Sequence, residues 1–155
     1  MFEYISENLN DTEKFGESLA KSLKNGDVIS LIGDMGAGKT TLVQTIGKKI
    51  GVEDYITSPT FSLVNTFYGD VELNHLDLYR MEDSREIESI DIDNYVYPNG
   101  ISIIEWAERA QEYMPRNLIQ IYIDKLGENK RKFIIKGNNK REKQIIEEIE
   151  IIWRY

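Results

Sequence analysis

Cysteine is absent from the chain, which excludes disulfides, thiolate metal sites and cysteine nucleophiles and fits a reducing compartment. No apolar run approaches the roughly 20 residues that a bilayer-spanning helix requires, so no membrane role is expected. Met1-Phe2-Glu3-Tyr4 lacks a basic segment leading into an apolar one. No signal peptide is therefore expected, and the expected location is cytoplasmic. Positive charge is short: 19 Lys and Arg against 27 Asp and Glu leave a net charge of −8. Phosphate contacts need clustered cations, so a chain with this balance is a poor binder of nucleic acid unaided.

What is present is ordinary for a globular protein: 41% hydrophobic and 30% charged residues. At 155 residues the chain is expected to form one domain, 1–155, that needs no metal or disulfide staple. Its charge is uneven. Lys130, Arg131, Lys132, Lys136, Lys140, Arg141 and Lys143 cluster, whereas Glu82 to Asp93 is mostly acidic. Both stretches read as solvated surface in the first instance.

Hydrophobic periodicity places the elements. Asp11 reads as a helix N-cap, with Phe15, Leu19 and Leu23 on one apolar face and Asn25-Gly26 as the stop. Val28 to Ile32 reads as a buried strand, and Thr41 to Ile50 as a helix ended by Gly51. Phe61 to Phe67 and Val71 to Leu78 read as strands joined by a turn at Gly69-Asp70. A short helix over Arg85 to Ile90, a buried strand at Ile101 to Ile104 and a helix from Ala107 to Tyr113 follow. A second hairpin is expected from Leu118 to Ile123 and Lys132 to Ile135. An amphipathic helix over Arg141 to Trp153 closes the chain, with Ile145, Ile149 and Ile152 on one side. Strands alternating with helices predict an α/β fold: a three-layer P-loop NTPase-like domain whose central sheet is mixed but mainly parallel.

The chemistry concentrates at Gly33-Asp34-Met35-Gly36-Ala37-Gly38-Lys39-Thr40, which satisfies G-x-x-x-x-G-K-[ST] in full. Glycines let successive backbone N–H groups turn inward as an anion-binding nest, and the following helix adds its positive end. Lys39 is placed to reach β- and γ-phosphates and the Thr40 hydroxyl to ligate magnesium. The context is the required one, with an apolar strand before the loop and a helix after it. Phosphoryl chemistry also needs an acid for the metal and a group to orient the attacking water. Asp77 and Glu105 each end an apolar strand where such an acid belongs, and the sequence does not divide the two roles between them. Ser58-Pro59-Thr60 follows the loop helix, and its spacing leaves two readings open: a hydroxyl that senses γ-phosphate or metal, or a turn leading into a strand. His75, the only histidine, reads as a hydrogen-bonding residue behind the site rather than a general base. Arg80 is placed to contact phosphate or to pair with the acidic stretch. Trp106 reads as packing. No N/T-K-x-D sequence specifies guanine, and Asp77 is not followed by x-x-Gly, so ATP is the expected nucleotide.

Together these motifs resemble the TsaE family (also called YjeE) of small P-loop ATPases. The matching residues are Gly33 to Thr41, Ser58-Pro59-Thr60-Phe61, His75-Leu76-Asp77-Leu78-Tyr79-Arg80 and Glu105-Trp106, in the family's order and spacing. The resemblance covers residues 1 to about 125, and the family's C-terminus, here the helix at about 140–155, is variable. It implies an ATP- and Mg2+-dependent ATPase, slow alone and completed by partners. The implied role is support for forming threonylcarbamoyladenosine in tRNA together with the TsaD and TsaB proteins, with tRNA met only indirectly through that complex.

Carried over by position, Gly33, Met35, Gly36, Ala37, Gly38, Lys39, Thr40, Thr41, Thr12 and Lys130 (or its neighbour Arg131) would hold the nucleotide. Met35 stands where the family often has leucine. Lys39, Glu105, Asp77 and Thr60 would carry catalysis, with Thr60 the switch-like threonine. Thr40, Glu105 and Asp77 would serve the metal, Glu105 as the magnesium-linked acid, and Trp106 would lie beside the site. Two other classes stand as alternatives. A stand-alone small-molecule kinase would need an acceptor pocket that the sequence does not display, and a nucleotide-dependent binding module would use the basic C-terminal region.

Overall fold

A computed structural model of the chain describes residues 1–57, 59 and 63–154. The readings at Ser58, Thr60 and Phe61 lie outside the described residues. The first helix, α1 (Leu9–Ser22), follows strand β1 (Phe2–Ser6). Its cap is Asn8, whose side chain accepts the Asp11 N–H at 2.9 Å, while the Asp11 carboxylate accepts the Glu7 N–H at 2.9 Å. The expectation that Asp11 itself caps the helix is corrected here. Asparagine has the same capping chemistry and comes first along the chain, so Asp11 falls inside the first turn, where its charge favours the positive helix end.

Strand β2 (Val28–Ile32) leads through the glycine-rich loop into α2 (Lys39–Lys49). Then come the hairpin β3 (Val64–Tyr68) and β4 (Glu72–Asp77), a 3-10 segment at Ser84–Ile90, the short α3 (Asp93–Val96) and β5 (Ile101–Glu105). A second 3-10 segment, Ala107–Tyr113, precedes the hairpin β6 (Ile119–Lys125) and β7 (Arg131–Ile135), and α4 (Lys140–Arg154) follows. The helix expected over 107–113 is thus a 3-10 segment broken at Ala110, whose φ of −136° is not helical.

The strands form one sheet in the order β1-β7-β6-β2-β5-β4-β3. Its four adjacent strands β6, β2, β5 and β4 are parallel, while β7 and β3 are reversed and β1 is antiparallel to β7. Five of the seven strands therefore point one way, the mixed but mainly parallel sheet expected from the hairpins. Side chains alternate across the strands, so each face has its own core. Ile29, Leu31, Ile103 and Ile121 meet Phe15, Leu19, Leu42, Ile46, Ile145 and Ile149 of the three long helices. Val28, Leu76 and Ile104 face Met81, Ile87, Ile92, Val96 and Ala107 on the other side. The architecture has the expected three layers, although one outer layer is mostly 3-10 turns.

One member of the basic cluster is not surface. Arg141 is buried and donates to both carboxylate oxygens of Asp27 at 2.8 Å and to the Ser22 carbonyl at 2.7 Å. The pair fastens α4 to the turn before β2. Next to it the buried Glu142 accepts N–H groups from Gln120, Asn138 and Asn139, and Asn139 caps Glu142 in return. That reciprocal pair is a capping box.

Candidate active site

The strand order sets the site. At the C-terminal edge of the parallel strands, β2 delivers the loop, β5 delivers Glu105 and β4 delivers Asp77, which is paired directly with Glu105 in the β4–β5 register. In open α/β sheets such edges are where ligands bind. The loop is shaped by contacts only glycine permits. Gly38 takes a φ of +102°, and a Cβ on Gly33 would lie 2.7 Å from the Ile123 carbonyl oxygen.

A cavity of about 450 Å3 opens over the loop, lined by Met35, Gly36, Gly38, Lys39, Thr40, Thr41, Asp77, Tyr79, Glu105, Trp106 and Arg131. Within it Lys39 Nζ donates to the Gly33 carbonyl at 2.9 Å and lies 3.4 Å from Glu105 Oε1. The other Glu105 oxygen, Oε2, is 2.7 Å from His75 Nε2. Glu105 is only 5% exposed. Burial by itself would raise its carboxyl, but the hydrogen bond from His75 and then the charge and hydrogen bond of Lys39 outweigh it, leaving the group below its ordinary range and ionised. Asp77 Oδ1 accepts the Tyr79 N–H at 3.0 Å. Trp106 adopts a left-handed backbone (φ +62°) and stands with its ring 5.5 Å from Lys39 Nζ and 5.0 Å from the Tyr79 ring.

A smaller hollow of about 120 Å3 lies on the far side of the loop, lined in part by Asn8, Thr12, Ala37, Thr41, Arg131 and Phe133. Arg131 borders both spaces, and its Nε donates to the Ala37 carbonyl of the loop at 2.9 Å. Of the two adjacent cations, therefore, Arg131 meets the loop, whereas Lys130 turns away to pair with Glu7 at 3.6 Å. The signal was readable in the sequence. Phe133 and Ile135 mark the core-facing positions of β7, and Arg131 shares their parity, while Lys130 and Lys132 do not. Asn8 and Tyr79 are further lining residues that sequence reasoning assigned no role. Thr12 is buried and shares a 2.7 Å hydrogen bond with Ser6. Met35 is 85% exposed at the loop's outer bend.

Among the described residues no three His, Asp or Glu side chains come together as a metal cage. The donors at this site are instead hard oxygens, from Thr40, Asp77 and Glu105 around one cavity. That set suits Mg2+, which takes few protein ligands and completes its shell with waters and phosphate oxygens. A nest of N–H groups, one lysine and two carboxylates in a cavity of this size can bind a phosphate chain together with a divalent cation.

The family model described as Threonylcarbamoyl adenosine biosynthesis protein TsaE matches residues 6–133. The chain belongs to the TsaE family. The match takes in the loop, Asp77, Glu105 and Arg131 and ends before α4. A TsaE of Bacillus subtilis is 34% identical over 143 residues, 92% of this chain and 89% of that protein. Another, of Aquifex aeolicus, is 41% identical over 133 residues, 84% and 92% of the two chains. Both carry the name tRNA threonylcarbamoyladenosine biosynthesis protein TsaE. The crystal structure of Bacillus subtilus YdiB superposes with a TM-score of 0.79 at 28% identity, covering 97% of this chain and 95% of that one. The TsaE resemblance drawn from four short motifs thus holds across most of the chain. No helix among the described residues is long and apolar enough to cross a membrane.

Proposed function

We propose that this TsaE-family chain is a cytoplasmic, Mg2+-dependent ATPase subunit that supports formation of threonylcarbamoyladenosine in tRNA together with TsaD and TsaB. The observation that carries this reading is the convergence of Lys39, Asp77 and Glu105 on one cavity above a complete phosphate-binding loop. The names of its relatives supply the pathway.

Lys39 is held by the Gly33 carbonyl and Glu105. An arriving triphosphate offers it stronger, charge-assisted partners, so Lys39 exchanges Glu105 for phosphate oxygens. Glu105 Oε1 is then free to orient the water that attacks the γ-phosphorus, giving ADP and inorganic phosphate. Thr40 and Asp77, with Glu105, would hold Mg2+, which when bound neutralises charge developing on the phosphates. Arg131, anchored on the Ala37 carbonyl, walls the nucleotide from the side of the smaller hollow. The TsaD–TsaB pair carries the contact with tRNA, because this chain's net charge of −8 gives it little affinity for a polyanion.

The test is reconstitution with TsaD and TsaB, scoring modified tRNA over many turnovers with and without this protein and ATP. Turnover that continues only with both is the expected result. Failure to associate with TsaD–TsaB in either the presence or absence of ATP would overturn the reading. ATP-dependent association without ADP release would replace it with the binding-module alternative.

A further inference from the structure

The single histidine occupies a position that hydrolysis as described above does not use. His75 lies on β4 with none of its surface exposed, and its Nε2 stands 2.7 Å from Glu105 Oε2. Its other nitrogen, Nδ1, is buried and has no hydrogen-bond partner among the described residues. That asymmetry discriminates among the three forms of the ring. The Nδ1–H tautomer would aim a bare Nε2 lone pair at a carboxylate oxygen and bury an unpaired N–H. The imidazolium would bury an unpaired N–H that carries part of a positive charge, which is costly in a dry interior. Only the neutral Nε2–H tautomer pairs its donor and leaves nothing unsatisfied but a lone pair.

The consequence lies in Glu105. A glutamate at a strand end has three rotatable bonds and two equivalent oxygens, so by itself it would not keep one oxygen directed into the cavity. With Oε2 held from behind by a ring fixed in the sheet, Oε1 is the oxygen that faces Lys39, at 3.4 Å. When Lys39 transfers to a phosphate, Glu105 loses one of its two side-chain partners and keeps the other. We propose that His75 is a positioning residue: as a neutral Nε2–H donor it locks the Glu105 carboxylate so that Oε1 stays aimed at the nucleotide through the exchange of Lys39. This rests on the ATPase reading for its consequence but not for the contact itself.

Two measurements test it together. Because the chain has one histidine, long-range proton–nitrogen NMR of the wild-type protein reports its tautomer without assignment. A protonated Nε2 and a bare Nδ1 are expected, and a protonated Nδ1 would overturn the proposal.

ATP hydrolysis with the partners present is then compared for His75→Gln, whose amide nitrogen can reach Oε2, and His75→Leu, which fills space but cannot donate. His75→Leu is expected to lose about tenfold in kcat, the worth of one lost hydrogen bond in the transition state. Its KM for ATP should be nearly unchanged, and His75→Gln should recover most of the loss. In a Glu105→Ala background His75→Leu should cost nothing further. Equal losses in the two variants, or additive losses with Glu105→Ala, would mean that the ring only packs. If either variant fails to fold, the wild-type spectrum still decides. If wild-type protein hydrolyses no ATP even with partners, the ATPase reading falls while the spectrum judges the histidine–glutamate contact by itself.

Discussion

Strand β2 has a buried ionic cluster at each end, and the two differ in how completely their groups are paired. Before the strand, Arg141 spends its guanidinium on both oxygens of Asp27, on the Ser22 carbonyl and on Gln144 at 3.3 Å, and Asp27 also accepts the Lys24 N–H. The guanidinium is held above its ordinary value first by the Asp27 hydrogen bonds. After the strand, Lys39 sits at 3.4 Å from Glu105 and donates to a loop carbonyl, and among the described residues His75 has a nitrogen without a partner. The first cluster leaves nothing to gain by rearranging. The second holds groups whose present partners a phosphate can replace. A static buried pair and an exchangeable one can thus be told apart by counting unmet donors and acceptors, not by burial, since all five side chains are nearly inaccessible.

The contrast is broken most severely at the static end. Arg141→Ala leaves the Asp27 carboxylate buried without its partner, which costs about 3–5 kcal/mol of folding stability. Chemical denaturation should register that loss, while nucleotide affinity of the folded fraction should stay near the wild-type value, because Arg141 lies at the opposite end of β2 from the loop. A matching loss of affinity would show that the two ends are coupled.

At the exchangeable end the signs reverse. Lys39→Ala should weaken ATP binding by about 2 kcal/mol, roughly thirtyfold, as charge-assisted phosphate contacts are lost. Its folding stability should change little, since among the described residues Lys39 has only a carbonyl and a shared carboxylate to leave behind. Titration with a fluorescent ATP analogue beside a thermal melt measures both. A large drop in stability with affinity intact would contradict the exchange of partners proposed for this lysine.

How much of this was legible before the fold was known follows from the range of each interaction. The loop, its strand and helix, and the carboxylates at Asp77 and Glu105 are local patterns, so spacing revealed them. Arg131 was legible in principle, through the alternation it shares with Phe133 and Ile135, yet a nearby lysine drew equal weight. The cap of α1 was misplaced because Asn8 and Asp11 have the same chemistry and only the backbone chooses between them. The Asp27–Arg141 pair joins residues 114 positions apart, and the His75–Glu105 contact depends on the β4–β5 register. Neither follows from periodicity. The switch-like role expected of Thr60 lies outside the described residues and is decided by substitution, not by the fold.

The finest test of the comparison uses acid. The Glu105 carboxyl is depressed relative to the unfolded chain, so it contributes stability that is present above the ordinary glutamate range and is lost as pH falls through its folded value. Burial opposes it and is the largest single influence, and the contacts with His75 and Lys39 together outweigh it. Removing Lys39 takes away both its charge and its hydrogen bond, so in Lys39→Ala the acid-induced fall in melting temperature should begin at higher pH than in wild type. In Glu105→Gln, which cannot ionise, that component should vanish. Arg141→Ala should leave the Glu105 component in place, because Arg141 lies at the far end of β2 and touches neither Glu105 nor its partners. Melting curves recorded across the acid range for the three variants separate these outcomes. An acid limb that stays put in Lys39→Ala would mean that His75 alone holds the charge on Glu105, and that the lysine is freer to leave than its 3.4 Å distance implies.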